Sequence, residues 1–314
     1  MSTSDEAVVI WGEVLWDRFP DGDQLGGAPA NVAYHLGQAG GWARLVSRVG
    51  DDELGRRAIA RLAEVVDTSL LQVDPERATG EVGVTIVGGE PRYKLFEQRA
   101  WERIACTPAV TAALAEAGVL IFGTLSQRTA EGLASWRQAI AAAGETCLKV
   151  CDVNLRKVWK PAVPPPPGVL RGTDTPMFEE LAAVHNALEV ADVVKVNDRE
   201  LEVLASWYGW ADPIGELRAN RRVVAVTHGA AGSTLYGEGR AIRIPGVHAA
   251  PGGDNVGCGD AYLAILVLGM TMGWDLAASG QAAARWAAAV AEVRGATPMF
   301  DDARIAALLG EDAG

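Results

Sequence analysis

Asp254-Asn255-Val256-Gly257-Cys258-Gly259-Asp260 stands immediately before an apolar run from Ala261 to Met270. A Gly-x-Gly turn that opens a helix leaves its first backbone N–H groups without intrahelical partners. Those amides, with the positive end of the helix dipole, make a site for an anion. Asp260 falls in the first helical turn, beside whatever anion binds there. A carboxylate next to a phosphate cradle is suited to taking a proton from an acceptor hydroxyl. An Asp after a Gly turn also occurs for helix capping alone, so the stretch gains meaning only from its surroundings.

Outward from this point the chain reads as alternating strands and helices. Downstream, helices are predicted over 257–269 and 276–293. Upstream, 7–11 reads as a short buried strand and 43–49 as the next strand, while 119–122, 148–153, 193–196 and 223–227 read as continuous apolar runs, the mark of strands buried on both faces. Helical segments near 129–143, 178–189 and 198–207 separate the later ones, and an amphipathic helix over 52–65 carries Leu54, Ala58, Leu62 and Val65 on one face. That order predicts a mostly parallel sheet covered by helices on both faces. Two stretches differ: 12–25 and 81–97 alternate apolar and polar residues, the latter around Gly88-Gly89. Alternation predicts a small second sheet, wet on one face. Residues 233–244 read as a further hairpin around Gly237-Glu238-Gly239. Lys160 to Pro176, with Pro164 to Pro167 consecutive, cannot be helix or central strand.

The 314 residues are 49% hydrophobic and 22% charged, enough apolar material for a large core. With a net charge of −12 and no Lys/Arg cluster, nucleic acid is not expected as a partner. The longest apolar run is too short to span a bilayer, so no membrane is expected either. Cys147 and Cys151 lack the Cys/His pair that a zinc site needs. With no signal peptide visible, the cytoplasm is the expected compartment.

Five runs, at 26–31, 152–156, 197–200, 227–232 and 254–260, fall in order at predicted strand C-termini or helix starts, where open α/β sheets bind ligands. Together they resemble the ribokinase/PfkB carbohydrate kinase superfamily over essentially the whole chain. Gly26-Gly27-Ala28-Pro29-Ala30-Asn31-Val32-Ala33 and 254–260 carry most of that resemblance. Residues 12–20, the Ala-Pro after the glycine pair, 100–104 and 152–156 are most similar to fructokinases.

The resemblance implies a single ribokinase-like α/β domain over 1–314, with a small β-sheet lid from about 12–25 and 81–97. It implies ATP-dependent phosphorylation of a sugar primary hydroxyl, fructose foremost, with ATP and Mg²⁺ and a monovalent cation such as K⁺. Asp260 would be the base, and Gly257, Cys258 and Gly259 the anion hole. Asp17, Gly26, Gly27, Asn31 and Arg156 would hold the sugar, with Arg156 also reaching the transferring phosphate. Asn197, Thr227, Gly229 and Gly232 would line the nucleotide. Glu200 and Asn197 would act on Mg²⁺ through water, and Asp254 on the monovalent cation. Asn197 and Glu200 also suit a helix-capping box, and both roles are expected together.

Asn255 and Cys258 depart from the superfamily's usual Thr and Ala. Backbone amides do not depend on the side chain at 258, so activity is expected to survive. A thiol at a helix N-terminus ionises more readily than usual, whereas one pointing into the core is inert, and both readings of Cys258 stay open. Other acceptors (2-keto-3-deoxygluconate, ribose, a nucleoside) stay open, as does a catalytically silent sugar-binding or regulatory member of the fold. The intact Asp260 and Gly-x-Gly argue against the silent reading. No Gly-x-x-x-x-Gly-Lys-Ser/Thr occurs, nor a Gly-x-Gly-x-x-Gly after the first strand, which excludes P-loop kinases and dinucleotide oxidoreductases. Val84, Ile86 and Leu95 on an exposed lid make it a candidate surface for a homodimer.

Overall fold

The computed structural model describes residues 6–19, 22–87, 90–155 and 176–310, with backbone alone for 84–87, 90–94 and 176–179. Arg156 and the proline-rich run after it therefore lie outside the described residues, as do the side chains of Val84 and Ile86. Among the described residues, thirteen strands form two sheets.

The first half of the chain contains β1 (Val8–Trp11), β2 (Leu15–Phe19), β3 (Gly22–Gly26), α1 (Ala28–Gln38), β4 (Ala43–Gly50), α2 (Glu53–Leu62), β5 (Leu71–Asp74), β6 (Gly80–Val87) and β7 (Glu90–Leu95). There follow α3 (Pro108–Ala115), β8 (Val119–Phe122), α4 (Ala130–Ala142) and β9 (Leu148–Asp152). The second half contains α5 (Pro176–Val190), β10 (Val193–Asn197), α6 (Asp198–Tyr208), α7 (Pro213–Arg218) and β11 (Val223–Thr227). The chain closes with β12 (Gly232–Gly237), β13 (Arg240–Pro245), α8 (Cys258–Thr271), α9 (Leu276–Ala291) and α10 (Asp302–Leu309).

The large sheet has the order β13-β12-β11-β10-β9-β8-β1-β4-β5. Its strands are parallel from β5 through β11, and the β12–β13 hairpin closes one edge antiparallel. The hairpin turns on Glu238 and Gly239, both at positive φ, as a two-residue loop matched to strand twist requires. Two apolar clusters cover the faces. One holds α1, α8 and α9 with Trp286 at its centre; the other holds Trp101, Trp136 and Phe122 with Leu204 and Leu217. The apolar runs are thus buried strands, because each strand must satisfy two faces at once. The small sheet, in the order β3-β2-β6-β7, is built from the two alternating stretches. It consists of two antiparallel hairpins joined by parallel pairing of β2 with β6.

Boundaries shift where caps act. Asp52 accepts an amide hydrogen bond from Gly55 and starts α2, which ends at Leu62 rather than Val65. The last two long helices run over 258–271 and 276–291, and Gly257 stands as the N-cap of the first. The short elements β5, α3, α7 and α10 carry too little periodicity to show in the sequence.

One buried polar link ties the α1, α8 and α9 layer together. Trp286 Nε1 donates to His35 Nδ1 at 3.1 Å, so Nε2 carries the proton and donates to the Ala296 carbonyl at 2.8 Å. Burial pushes His35 down to about 4, although the Ala296 carbonyl favours the protonated ring. The folded pKa lies below the unfolded value, so His35's contribution is complete above about pH 6.5 and is lost as the pH falls toward 4. Denaturant unfolding at pH 7 and pH 5 should show the loss, on the order of 3 kcal/mol at its full extent. His35→Gln should flatten that slope; an unchanged slope would assign it to other groups.

Candidate active site

The C-terminal ends of β9, β10 and β11 and the start of α8 converge above the large sheet. Asp152 and Lys195 are cross-strand partners, as are Asn197 and Thr227. Val194 and Val196 belong to the apolar cluster on one face of β10. Lys195 lies between them in a strand and so points the other way, toward α8. Its Nζ sits 3.0 and 3.1 Å from the two Asp152 oxygens, and both side chains are buried. A Cβ on Gly259 would come within 2.9 Å of that Nζ, so only glycine leaves room for the ammonium under the helix start. Burial works against the charged lysine. Asp152, Glu200 and Asp260 outweigh it and hold the ammonium at about 12.

Glu200 is buried, and each of its oxygens accepts an amide at 2.9 Å, from Leu155 and from Asn197. Asn197 Oδ1 accepts the Glu200 amide in return, completing the expected capping box on α6. This carboxylate therefore fixes the ends of β9 and β10 directly and reaches outward only through an intermediary. Burial raises its pKa, against the pull of Lys195.

Asp260 is buried in the first turn of α8, and its Oδ2 accepts a 2.8 Å hydrogen bond from Asn31 Nδ2. The two signature runs, 229 residues apart, thus meet at one contact. Asn31 Oδ1 is buried without a partner among the described residues. Gly27, at φ 102, caps α1, and a Cβ there would strike the Glu13 carbonyl at 2.4 Å. A Cβ on Gly26 would lie 2.5 Å from Asp17 Oδ2, so the Asp17 carboxylate lies over Gly26. Gly257 has φ 76, and a Cβ there would meet Ala296 at 2.6 Å. Asp254 joins the same two loops: Oδ1 accepts the Val256 amide at 2.9 Å and Oδ2 the Gly295 amide at 3.2 Å. Gly229 and Gly232 both take positive φ in the turn after β11. His228 pins that turn between Asp198, at 2.6 Å, and Thr234, at 2.9 Å.

Asp17, Gly26, Gly27, Asn31, Asp260, Gly257, Gly259, Asn197, Glu200 and Thr227 all stand at this end of the molecule. For Cys258 the structure favours the inert reading. Burial first, then Asp254 and Asp260, push its thiol up to about 11. The sequence reading also passed over Lys195. A lone lysine in an apolar five-residue strand was the available signal.

A carboxylate held by an amide side chain, glycines enforced by close contacts, and a buried cation beneath a helix N-terminus thus gather where open α/β sheets bind ligands. The pfkB family carbohydrate kinase model matches residues 22–303, and the chain belongs to that family. It is 29% identical over 294 residues to an uncharacterized sugar kinase of Pyrococcus horikoshii, covering 92% of this chain and 86% of that one. It is 27% identical over 273 residues to a fructokinase of Klebsiella pneumoniae, covering 83% and 84%. Among solved structures, the fructokinase of Vibrio cholerae O395 with fructose, ADP and calcium bound aligns with a TM-score of 0.78. It is 26% identical and covers 98% of this chain and 99% of that one. A Xylella fastidiosa fructokinase with bound ATP, 20% identical with a TM-score of 0.82, shares the fold over 98% and 99%. No helix among the described residues is long and apolar enough to cross a membrane.

Lys195→Met would leave Asp152 and Glu200 buried without their cation. Urea unfolding should report a loss of roughly 3–5 kcal/mol, the usual result of breaking a buried pair from one side. Cys258 should resist alkylation at pH 7.5 in the folded enzyme, and Cys258→Ala should alkylate no more slowly than the parent. Rapid labelling of Cys258, mapped by mass spectrometry, would contradict the raised pKa.

Proposed function

We propose that this kinase transfers the γ-phosphate of ATP to the primary hydroxyl of D-fructose, giving fructose 6-phosphate and ADP. The Asn31–Asp260 hydrogen bond carries the reading. It fixes a buried carboxylate at the mouth of a helix whose free amides face the same space. Asp260 takes the proton from the hydroxyl as its oxygen bonds to the γ-phosphorus and the bond to the ADP oxygen breaks. The Gly257, Cys258 and Gly259 amides receive the charge on the transferred group, and Lys195 beneath them adds a buried positive charge.

Asp17, Gly26, Gly27 and Asn31 hold the sugar, and the partnerless Asn31 Oδ1 suits a hydroxyl donor. Arg156 is assigned to the sugar and the transferring phosphate from the sequence alone. Asn197, Thr227, Gly229 and Gly232 line the nucleotide. Mg²⁺, when bound, neutralises phosphate charge. Glu200 and Asn197 fit its hydration shell rather than the ion itself, because the Glu200 oxygens already accept amides. Asp254 and the loop after α9 are the place for a monovalent cation such as K⁺. The β2, β3, β6 and β7 sheet acts as a lid, and its closure excludes water and suppresses ATP hydrolysis.

Fructose is favoured over other acceptors because fructokinases recur among the relatives and the Vibrio cholerae neighbour holds fructose. In a coupled assay with MgATP, kcat/KM for fructose should exceed that for ribose, 2-keto-3-deoxygluconate or adenosine. Preference for any of those would sink fructose and leave the kinase. Asp260→Asn should lower kcat by roughly 10²–10⁴ with little change in nucleotide affinity. Near-parental turnover would leave Asp260 as a helix-start residue alone.

A further inference from the structure

A cavity of about 500 Å³ lies beside the edge strand β3, sharing the loop 294–298 with the site just described. Its walls come from β3, from α2 and from the loop 294–298. Three arginines line it, Arg57, Arg61 and Arg294, against two carboxylates, Asp23 and Glu64. Such a concentration of guanidinium groups runs against a chain of net charge −12. It is preorganised as well as positive. Arg57 lies over the Trp16 indole, 4.5 Å from its centroid, and Trp16 is itself fixed by a 3.0 Å hydrogen bond from its Nε1 to the Leu54 carbonyl. Arg61 lies 4.8 Å over the Tyr34 ring and donates to the Thr297 carbonyl at 3.0 Å.

Arg57 is less committed than Arg61. Its one ion pair, with Asp23, is 3.5 Å long, and it makes no hydrogen bond among the described residues. A guanidinium carries five donors in a fixed fork that matches phosphate oxygens. Gln24, also on the wall, has a buried Oε1 packed against Gly295, without a hydrogen-bond partner among the described residues. The cavity volume exceeds what a bare phosphate needs and suits a small phosphorylated metabolite.

We propose that this cavity is a second, non-catalytic site for a small phosphomonoester, held by Arg57 and Arg61. A phosphomonoester carries between one and two negative charges near neutrality, and the Arg57 and Arg61 guanidiniums on the cavity wall offer it charge-assisted donors. The site is wired to the active centre by covalent continuity at two places. β3 runs directly into Gly26 and Gly27. The loop 294–298 carries Ala296, which packs on Gly257 and receives the His35 hydrogen bond. Occupancy therefore bears on both the sugar end and the phosphate end of the site, through backbone already in contact. The binding claim rests on the cavity and not on the fructose reading, so the two fail separately.

Titration calorimetry of the intact enzyme with 3-phosphoglycerate tests it, run with and without a saturating non-hydrolysable ATP analogue and Mg²⁺. The expected result is saturable binding with Kd near or below about 1 mM that the analogue does not displace. Arg57→Gln, a change at a partly exposed side chain, should weaken it at least about tenfold. Glu64→Gln removes the carboxylate on Arg61 and should tighten it, a change of sign that a merely structural defect would not produce. Displacement by the nucleotide analogue would place the anion at α8. Absence of saturation by about 10 mM, or equal binding by Arg57→Gln, would equally overturn the proposal.

Discussion

One buried ammonium organises the active end of this molecule. Lys195 is enclosed by Asp152, Glu200 and Asp260, and removing it from water is costly unless those carboxylates stay in place. Each carboxylate belongs to a different element: the end of β9, the first turn of α6 and the first turn of α8. The ammonium therefore fixes how three chain segments end relative to one another. Glu200 extends the tie by accepting the amides of Leu155 and Asn197. A hydrophobic residue at 195 could fill the space but would leave three acidic groups repelling one another at the helix start. That charge balance is what makes so many carboxylates tolerable at the start of α8.

Glycines complete the arrangement by letting backbone come close. Gly259 admits the Lys195 ammonium, Gly257 admits Ala296, and Gly27 admits the Glu13 carbonyl. None of the three contacts leaves space for a methyl group. The amides at the start of α8 are thus held from below by a cation and from the side by the loop after α9. That loop is in turn held by His35 and Asp254. Preorganised donors of this kind are already oriented when charge develops on a transferred group.

Much of the fold was legible. Strands buried on both faces must be apolar throughout, so the runs at 8–11, 119–122 and 223–227 announce a parallel sheet by composition alone. The small sheet was equally plain, because a sheet wet on one face must alternate. Glycine before the first helical residue, at 27 and at 257, marked both helix starts. Short elements such as α7 and β5 escaped because so few residues hold no period. Within the site, the family pattern indicated Asn31, Asp260, Asn197 and Glu200, and the structure gathers them at one end of the sheet.

By itself the sequence determined the family, the order of the longer strands and helices, and the residue types at the strand ends. It did so because those features are local: a period, a cap, a turn. Only the tertiary structure decided the electrostatics. Lys195 looked like one lysine in an apolar strand until Asp152, 43 residues away, appeared beside it. Cys258 stayed open between a reactive and an inert thiol because the helix start is a local feature, whereas burial and the neighbouring Asp254 and Asp260 carboxylates, which raise its pKa, depend on packing. Asn31 and Asp260 each looked like a separate signature, and the fold made them a single hydrogen bond. Charge and burial sum over neighbours in space, and a linear sequence does not say who those neighbours are.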